Sequence, residues 1–546
     1  MKKKFYLIVF CFFVTLVLAL CTACGDTDGD DGEDTPEQPE TCIFNYGQKT
    51  QTTVIIYGIK ENVSDSVLNI PQVIDGKTVI EIGRCAFNNN AYINAVKTIN
   101  IPFKVDKIGY EAFKDCYNLE TVNLNYGGET NSNLEEIGYG AFANCSSLKI
   151  INGSTLMLKN IGYKAFENCQ NLVSTDLDDS TVLSEIGFNA FQNCSKLSSF
   201  NLPETITRIE DFAFRNSGIN SAYIAENAII SYPFVGCKNL ETITVNEKNE
   251  LNTVIDNVLY SCGNGSEILL CYPNKRSTLD SIITSFTVPD NINGIAEYAF
   301  LGNSHLHSID LNNVRYIREK AFENCTALQN VCGNYVDLVL DDAFFGTPWL
   351  TENTADFIAV GTALIKYNGT AINVDLSEYD TVSAYAFYDN DIIETVNLGD
   401  HMSNVGSFAF ASCTNLHTVY VSNINNIIYI GQSVFDAVNE NLVIYVAARL
   451  IETYKQNILW SDYIDNINIH ITVVTLYKNN GEDESTVNIA YGANSALSIP
   501  TRSGFTFLGW YTQDGTNGNW GEKISPSTVW ESFADTTKLY AKWIKN

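Results

Sequence analysis

The stretch Ile108–Leu124, I-G-Y-E-A-F-K-D-C-Y-N-L-E-T-V-N-L, decides the architecture. It returns as IGYKAFENCQNLVSTDL from Ile161 and IGFNAFQNCSKLSSFNL from Ile186. Later copies are IAEYAFLGNSHLHSIDL from Ile295 and VSAYAFYDNDIIETVNL from Val382. The common pattern is I-G-x-x-A-F-x-x-C/N-x-x-L-x-x-V-x-L. With the Phe of each A-F pair as marker, the copies fall at Phe87, Phe113, Phe142, Phe166, Phe191, Phe214, Phe300, Phe322, Phe344, Phe387 and Phe410. Phe234 and Phe435 mark degenerate copies, and most neighbours are 20 to 29 residues apart. A period of this size means a solenoid, because one unit cannot bury its own apolar face and must stack on the next.

The residue types inside the unit predict its parts. V-x-L (Val122 and Leu124, Ile309 and Leu311) has the two-residue alternation of a short strand with both apolar groups on one face. The Leu three positions earlier, Leu119 or Leu306, joins the same core from the preceding turn. In A-F, the small residue permits close approach and the large one fills the space between coils. The Gly after Ile suits a corner with unusual backbone angles. Parallel stacking at about 4.8 Å per coil makes the roughly thirteen coils a rod of about 60 Å.

This pattern resembles the BspA-type leucine-rich repeat family of bacterial surface proteins, over roughly residues 65 to 470. The resemblance implies a mainly β solenoid of short parallel strands with short helical turns, a role in surface adhesion, and no catalytic residues.

Before the repeats, Met1-Lys-Lys-Lys and the apolar run FYLIVFCFFVTLVLAL read as a secretory signal over residues 1–23. The run ends in L-C-T-A-C-G, which resembles a bacterial lipobox with Cys24 as the lipidated residue and Cys21 where Leu is usual. An ordinary signal peptide cut nearby is the alternative. The apolar run is shorter than the ~20 residues a membrane span requires. Residues 24–41 contain GDTDGDDGEDTPEQPE, acidic and without a base, and read as a flexible tether. Asp26, Asp28, Asp30 and Glu37 echo the spacing of a calcium loop, but Asp31 stands where that loop needs Gly.

Residues 42–80 are expected to form an N-terminal cap that begins with a hairpin, since an uncapped first coil is an open edge. The solenoid body is expected over 81–440. Two inserts interrupt it near 250–275 and 355–372. The first places apolar runs on either side of Gly263-Asn264-Gly265, a hairpin signal; the second is DFIAVGTALIKYNGT. In the family such hairpins protrude from one flank; here they either patch breaks in the stack or carry a private binding function. A C-terminal cap is expected over 441–470, with helical spacing at Leu450 and Tyr454 beside Trp460. From 472 to 546 the composition changes, and four of six Trp lie there: Trp510, Trp520, Trp530 and Trp543. Its G-F-T-F-L-G-W-Y-T core and closing L-Y-A-K-W resemble the internalin B-repeat family, which implies a small grasp-like β-module serving as spacer or adhesion accessory.

Fifteen Cys in a secreted chain suggest disulfides, but the spacing argues for something else. Cys116, Cys145, Cys169, Cys194, Cys237, Cys325 and Cys413 all stand three residues after a marker Phe, a position held elsewhere by Asn90, Asn303 and Asn390. They form one internal column of small buried groups. A column is not a tetrahedron, so zinc is not expected. His305, His307, His401, His417 and His470 match no ligand spacing, and no nucleophile elbow, phosphate loop or dinucleotide fingerprint occurs. No cofactor and no catalysis are expected. The net charge of −30 repels phosphate backbones, so nucleic acid is not expected as a partner.

The expectation is therefore a non-enzymatic adhesion or protein-binding protein, anchored to the cell surface by an N-terminal lipid. The resemblance suggests host matrix or plasma proteins, or other bacteria, as partners. Exposed strand-face positions would make the contact: Glu120, Asn123, Ser199, Asn201, Glu394 and Asn397. The alternatives are a structural spacer of the envelope and a glycan-binding protein. The glycan reading would use Tyr110, Tyr139, Tyr163 and Phe188, which recur two residues after the repeat Ile and otherwise pack beside the A-F corner.

Overall fold

The computed structural model describes residues 43–127, 132–262, 267–277 and 281–546. The signal, Cys24, the tether with its calcium-loop spacing, and the Gly263–Gly265 turn lie outside these residues. Residues Asn45–Asn546 form one compact unit. Only the last two residues of the other, Met1–Phe44, are among those described.

Most coils contribute two strands, one to each of two parallel ladders. The V-x-L strands Val67–Asn69, Thr98–Pro102, Thr121–Tyr126, Ile150–Asn152 and Ser174–Thr175 stack one above the next, with Val122 paired to both Ile99 and Ile151. The I-G end of each coil forms a second, two-residue strand that the sequence pattern did not reveal. In that ladder Ile82, Ile108, Ile137, Ile161, Ile186 and Ile209 pair in unbroken parallel register. Both sets of apolar residues point inward and are almost wholly buried. The architecture is the mainly β solenoid that the repeat predicts.

The corner between the two strands sets the stacking distance. Phe87, Phe113, Phe142, Phe166, Phe191 and Phe214 form a column of parallel rings, with centroids 5.1 to 5.3 Å apart and interplanar angles of 4 to 11°. Each buried ring contributes about 1.5–3 kcal/mol by removal from water alone. At this spacing the Gly after Ile has no room for a side chain. A Cβ on Gly138 would sit 2.9 Å from the carbonyl carbon of Gly109, and one on Gly162 would sit 2.8 Å from that of Gly138. These glycines do not have positive φ. The expectation of unusual backbone angles there is thus corrected: glycine is needed because the preceding coil's backbone lies against it.

The left-handed residues stand elsewhere, one before Ala and one before Cys. Glu111 has φ 50° and Asp115 φ 61°; Lys164 has 58° and Asn168 63°. These conformations turn alternate N–H groups toward the next coil. Glu111, Phe113 and Asp115 donate to the carbonyls of Tyr139, Ala141 and Ala143 at 2.7, 2.7 and 2.9 Å. The second position is most often Asn, which tolerates this conformation and adds a bond of its own. Asn144 donates to Asp115, Asn168 to Asn144, and Asn193 to Asn168, at 2.7 to 2.8 Å.

Both inserts start new ladders. In the first, Asn252–Ile255, Val258–Ser261 and Glu267–Cys271 form an antiparallel meander, and Glu267–Cys271 then pairs in parallel with Ile292–Ile295. Tyr272 supplies the first ring of a new column, 4.8 Å from Phe300. In the second, Phe357–Val360 and Ala363–Tyr367 form a hairpin whose second strand pairs in parallel with Thr381–Val382. There Tyr367 lies 4.8 Å from Phe387. The strands of the inserts are therefore rungs of the solenoid, and not the flank protrusions that the resemblance implied. The apolar core divides at the same places, with one cluster from Val258 to Ile365 and another from Leu364 to Ile467.

The helix Ile451–Gln456 and the 3-10 run Ile458–Asn466 close the last coil. Tyr454 and Trp460 are fully buried there, and the hydroxyls of Tyr454 and Tyr463 accept the N–H groups of Ile428 and Phe435, both at 3.1 Å. Beyond them lies a five-stranded sheet in the order Ser485–Ala490, Ile471–Tyr477, Thr536–Lys545, Phe505–Tyr511, Lys523–Ile524. Its small core contains Trp510 and Trp530, whereas Trp520 and Trp543 are partly exposed.

The close approach at the corner predicts unequal costs for two glycine substitutions. Gly162→Ala must push two backbones apart and is expected near the top of the ~1–3 kcal/mol range for overpacking. Gly302→Ala meets open space at φ +68° and is expected to cost ~1 kcal/mol for the left-handed backbone alone. Urea unfolding of the two variants checks the order.

Candidate binding surface

The outer side of the V-x-L ladder carries short polar side chains that bond to one another from coil to coil. Asn100 donates to Asn69 and Asn123 to Asn100, both at 2.6 Å, and Asn152 donates to Asn123 at 2.9 Å. One position before the strand, Glu120 lies between Lys97 at 3.1 Å and Lys149 at 2.5 Å. The hydrogen bond from Lys149, then that from Lys97, holds the Glu120 carboxyl below its usual range. Two of the sequence-selected residues thus sit in a fixed polar lattice.

Glu394 and Asn397 occupy the same two positions in a later coil. Asn397 donates to Asp375 at 3.0 Å and accepts from Ser422 at 2.6 Å. Glu394 is half-exposed, 3.9 Å from His417. The two pairs are not on one continuous sheet. The ladder ends at Ser174–Thr175, resumes as Ser221–Ile224 with Thr242–Val245, and resumes again at Ser285–Thr287 and at Asn373–Asp375. Ser199 and Asn201 fall in the first gap. They are exposed, but residues 197–203 are not a strand, which corrects their placement on the strand face. The turn Asp176–Asp179 stands where the ladder would continue, and Asp178 accepts the Asn201 N–H at 2.9 Å, replacing a strand bond.

Sequence reasoning missed how the strand face ends. Tyr420 and Tyr445 on the last strands stack at 5.5 Å, and Phe533, in the segment leading into the strand Thr536–Lys545, covers Tyr420 at 4.6 Å. His470 is buried among these rings, 5.2 Å from Tyr445 and 5.7 Å from Phe533. Its Nε2 lies 3.2 Å from Asp535. The large aromatic residues of the last strands were the available signal.

The flanking aromatic row is a second ring column. Tyr110–Tyr139, Tyr139–Tyr163 and Tyr163–Phe188 stack with centroids 4.8, 5.0 and 5.1 Å apart. Arg84 lies over the outer face of Tyr110 at 4.5 Å. The faces that a sugar would need are occupied, and only ring edges meet solvent.

The cysteine column is buried, and its members are not disulfide-bonded to one another. Each Sγ lies within hydrogen-bond distance of the marker Phe carbonyl one coil earlier: Cys145 to Phe113 at 3.1 Å, Cys194 to Phe166 at 3.2 Å, Cys413 to Phe387 at 3.1 Å. Where Asn replaces Cys it serves the turn, as Asn390 accepts the N–H groups of Ile392 and Ile393. Burial pushes the thiols of Cys237, Cys325 and Cys413 up to about 12. Among the described residues, no group of three or more His, Cys, Asp and Glu could hold a metal ion. No helix among them is long and apolar enough to cross a membrane.

The model of the BspA type leucine rich repeat region matches residues 57–181, 128–230, 159–278, 277–351 and 366–485, most of the chain. The chain belongs to this family. BspA-type proteins are leucine-rich repeat proteins of the bacterial cell surface, a family whose repeats suggest a general role in protein binding. Residues 474–542 match the Listeria-Bacteroides repeat domain. Among solved structures, a leucine rich cell surface protein from Faecalibacterium prausnitzii shares the fold at 24% identity and a TM-score of 0.53, over 71% of this chain and 95% of that one. A leucine-rich repeat protein from Bacteroides ovatus aligns at 22% identity and a TM-score of 0.40, over 71% and 94%. No curated protein matches the chain.

The buried thiols give this BspA-type chain a defined alkaline response. An unfolded thiol ionises near pH ~8.5, whereas in the fold it stays protonated to about 12. A raised folded pKa means stability is complete below pH ~8.5 and is lost as pH rises above it. The melting temperature is expected to fall between pH 8.5 and 11, with a shallower slope in a Cys325→Ala/Cys413→Ala variant.

Proposed function

We propose that the chain is a lipid-anchored adhesin, tethered through Cys24 and an acidic linker, that binds host matrix or plasma proteins or other bacteria through the outer strand face of its solenoid. The observation that carries this reading is the side-chain lattice on that face. In the Asn69–Asn100–Asn123–Asn152 row, each interior amide spends one N–H and one lone pair on its neighbours and keeps the others for a partner. Because these side chains are already held, contact with them costs little of the ~0.5–1.5 kcal/mol that ordering each long side chain otherwise requires. The same holds for Glu120 and Asn397, while Glu394, Ser199 and Asn201 supply exposed polar groups beside the lattice. Extended repetitive faces are the usual contact surfaces of solenoids. Glycan capture has less support, since the aromatic row beside the corner has its faces stacked. A spacer role without a ligand is the remaining alternative.

The test is binding of the purified chain to immobilised matrix proteins, plasma proteins and glycans at physiological salt, with and without calcium. Saturable binding to one protein is expected, reduced about tenfold or more by Asn123→Ala with Asn397→Ala. Unchanged binding in that double variant would remove the strand face from the function. Separately, Cys24→Ala is expected to release the chain from the membrane fraction of the cells that make it.

A further inference from the structure

The second break in the stack leaves a cleft of about 580 Å3 between the coil corner of Phe344 and that of Phe387. This volume lies within the range of ligand pockets, roughly 300–1,000 Å3. The first break differs. There the meander and Tyr272 close the space to about 20 Å3.

Within a block, every corner donates three backbone N–H groups to the corner above. Lys320, Phe322 and Asn324 donate to the carbonyls of Asp341, Ala343 and Phe345 at 3.1, 2.7 and 2.7 Å. The equivalent donors one coil later are the N–H groups of Asp342, Phe344 and Gly346, and among the described residues they have no acceptor. All three residues line the cleft. On the opposite lip, the carbonyl of Ala384 holds the place that Ser407 holds one coil on, where it accepts from Tyr385 at 3.1 Å; the Ala384 carbonyl receives no donor among the described residues. The C-terminal end of the solenoid shows how such an edge is closed when it is meant to stay closed. There the Phe435 N–H, the counterpart of the Phe344 N–H, is taken by the Tyr463 hydroxyl at 3.1 Å.

The cleft therefore has donors at alternate residues on one lip, the Ala384 acceptor on the other (its neighbour, the Ala386 carbonyl, accepts from Tyr367 at 2.9 Å), and an apolar floor of Leu340, Leu350 and Ile365, while Trp349 covers the Phe344 ring at 4.7 Å. Phe345 and Tyr385 stand at its rim, 58% and 47% exposed. Donors at alternate residues on one lip and an acceptor on the facing lip match a polypeptide backbone, and the apolar floor matches a side chain on that backbone. We propose that this cleft binds a peptide segment of a partner protein, with a small and then a large apolar side chain, as a surrogate coil corner. Such pairing draws affinity from main-chain hydrogen bonds and specificity from the side-chain pocket. The proposal rests on the protein-binding reading but gives it a second location, independent of the strand face.

The probe is the chain's own corner sequence as a capped octapeptide, residues 161–168, IGYKAFEN, titrated into the full chain by calorimetry and followed by amide hydrogen exchange. Saturable binding with slowed exchange over residues 340–347 is expected. Ala384→Trp and Thr351→Trp, which fill the cleft from two sides, should each weaken it at least tenfold, and Asn123→Ala should leave it unchanged. Absence of saturable binding at millimolar peptide, or affinity in both Trp variants unchanged from that of the unsubstituted chain, would overturn the proposal. So would a concentration-dependent dimer that Ala384→Trp dissociates, because the occupant would then be a second copy of the chain. Failure of the strand-face variants to affect the matrix-protein panel bears only on the strand face, since the peptide titration reads the cleft alone.

Discussion

The spacing between successive coils at the A-F corner is the constraint on which the rest depends. Backbone bonds from Glu111, Phe113 and Asp115 to the next coil, parallel Phe rings about 5.1 Å apart, and glycines packed against the preceding backbone all require one distance. A change in any of them moves the others. The two strand ladders follow from this register, because each coil leaves the corner at the same height and pairs with its neighbour on both sides.

Much of this was legible in the chain. The A-F marker at 20 to 29 residues, the V-x-L alternation and the repeated Cys position led to the solenoid, its strand face and its buried thiols. What escaped has physical reasons. A two-residue strand such as Lys107–Ile108 is too short to display a period, so the second ladder was invisible. Glycine after Ile suggested backbone freedom, but a sequence does not distinguish a residue that needs positive φ from one that needs empty space. The left-handed positions do carry a signal, the Asn or Asp before Cys in Asp115, Asn144, Asn168 and Asn193. It was hidden because each of these residues also looks like an ordinary surface polar group.

The selected surface residues fared unevenly for a related reason. Glu120, Asn123 and Asn397 were chosen as exposed polar positions, and each is engaged with a neighbouring coil. Repetition in sequence becomes translation in space, so like residues at one position meet one another before they meet a partner. Ser199 and Asn201 lie where Asp178 breaks that translation. The cleft beside Phe344 could not be read at all, because it arises from what the second insert fails to cover.

The two breaks also bear on how the chain can change its length over evolutionary time. Within a block, whole coils are interchangeable: a duplicated or deleted unit keeps the ring column, the ladders and the polar rows in step. Across a break they are not, because Tyr272 and Tyr367 begin columns that no marker Phe precedes in register. A coil added or removed inside a block would therefore leave every contact type in place, whereas one added or removed at a break would have to rebuild the ring column and the ladder together.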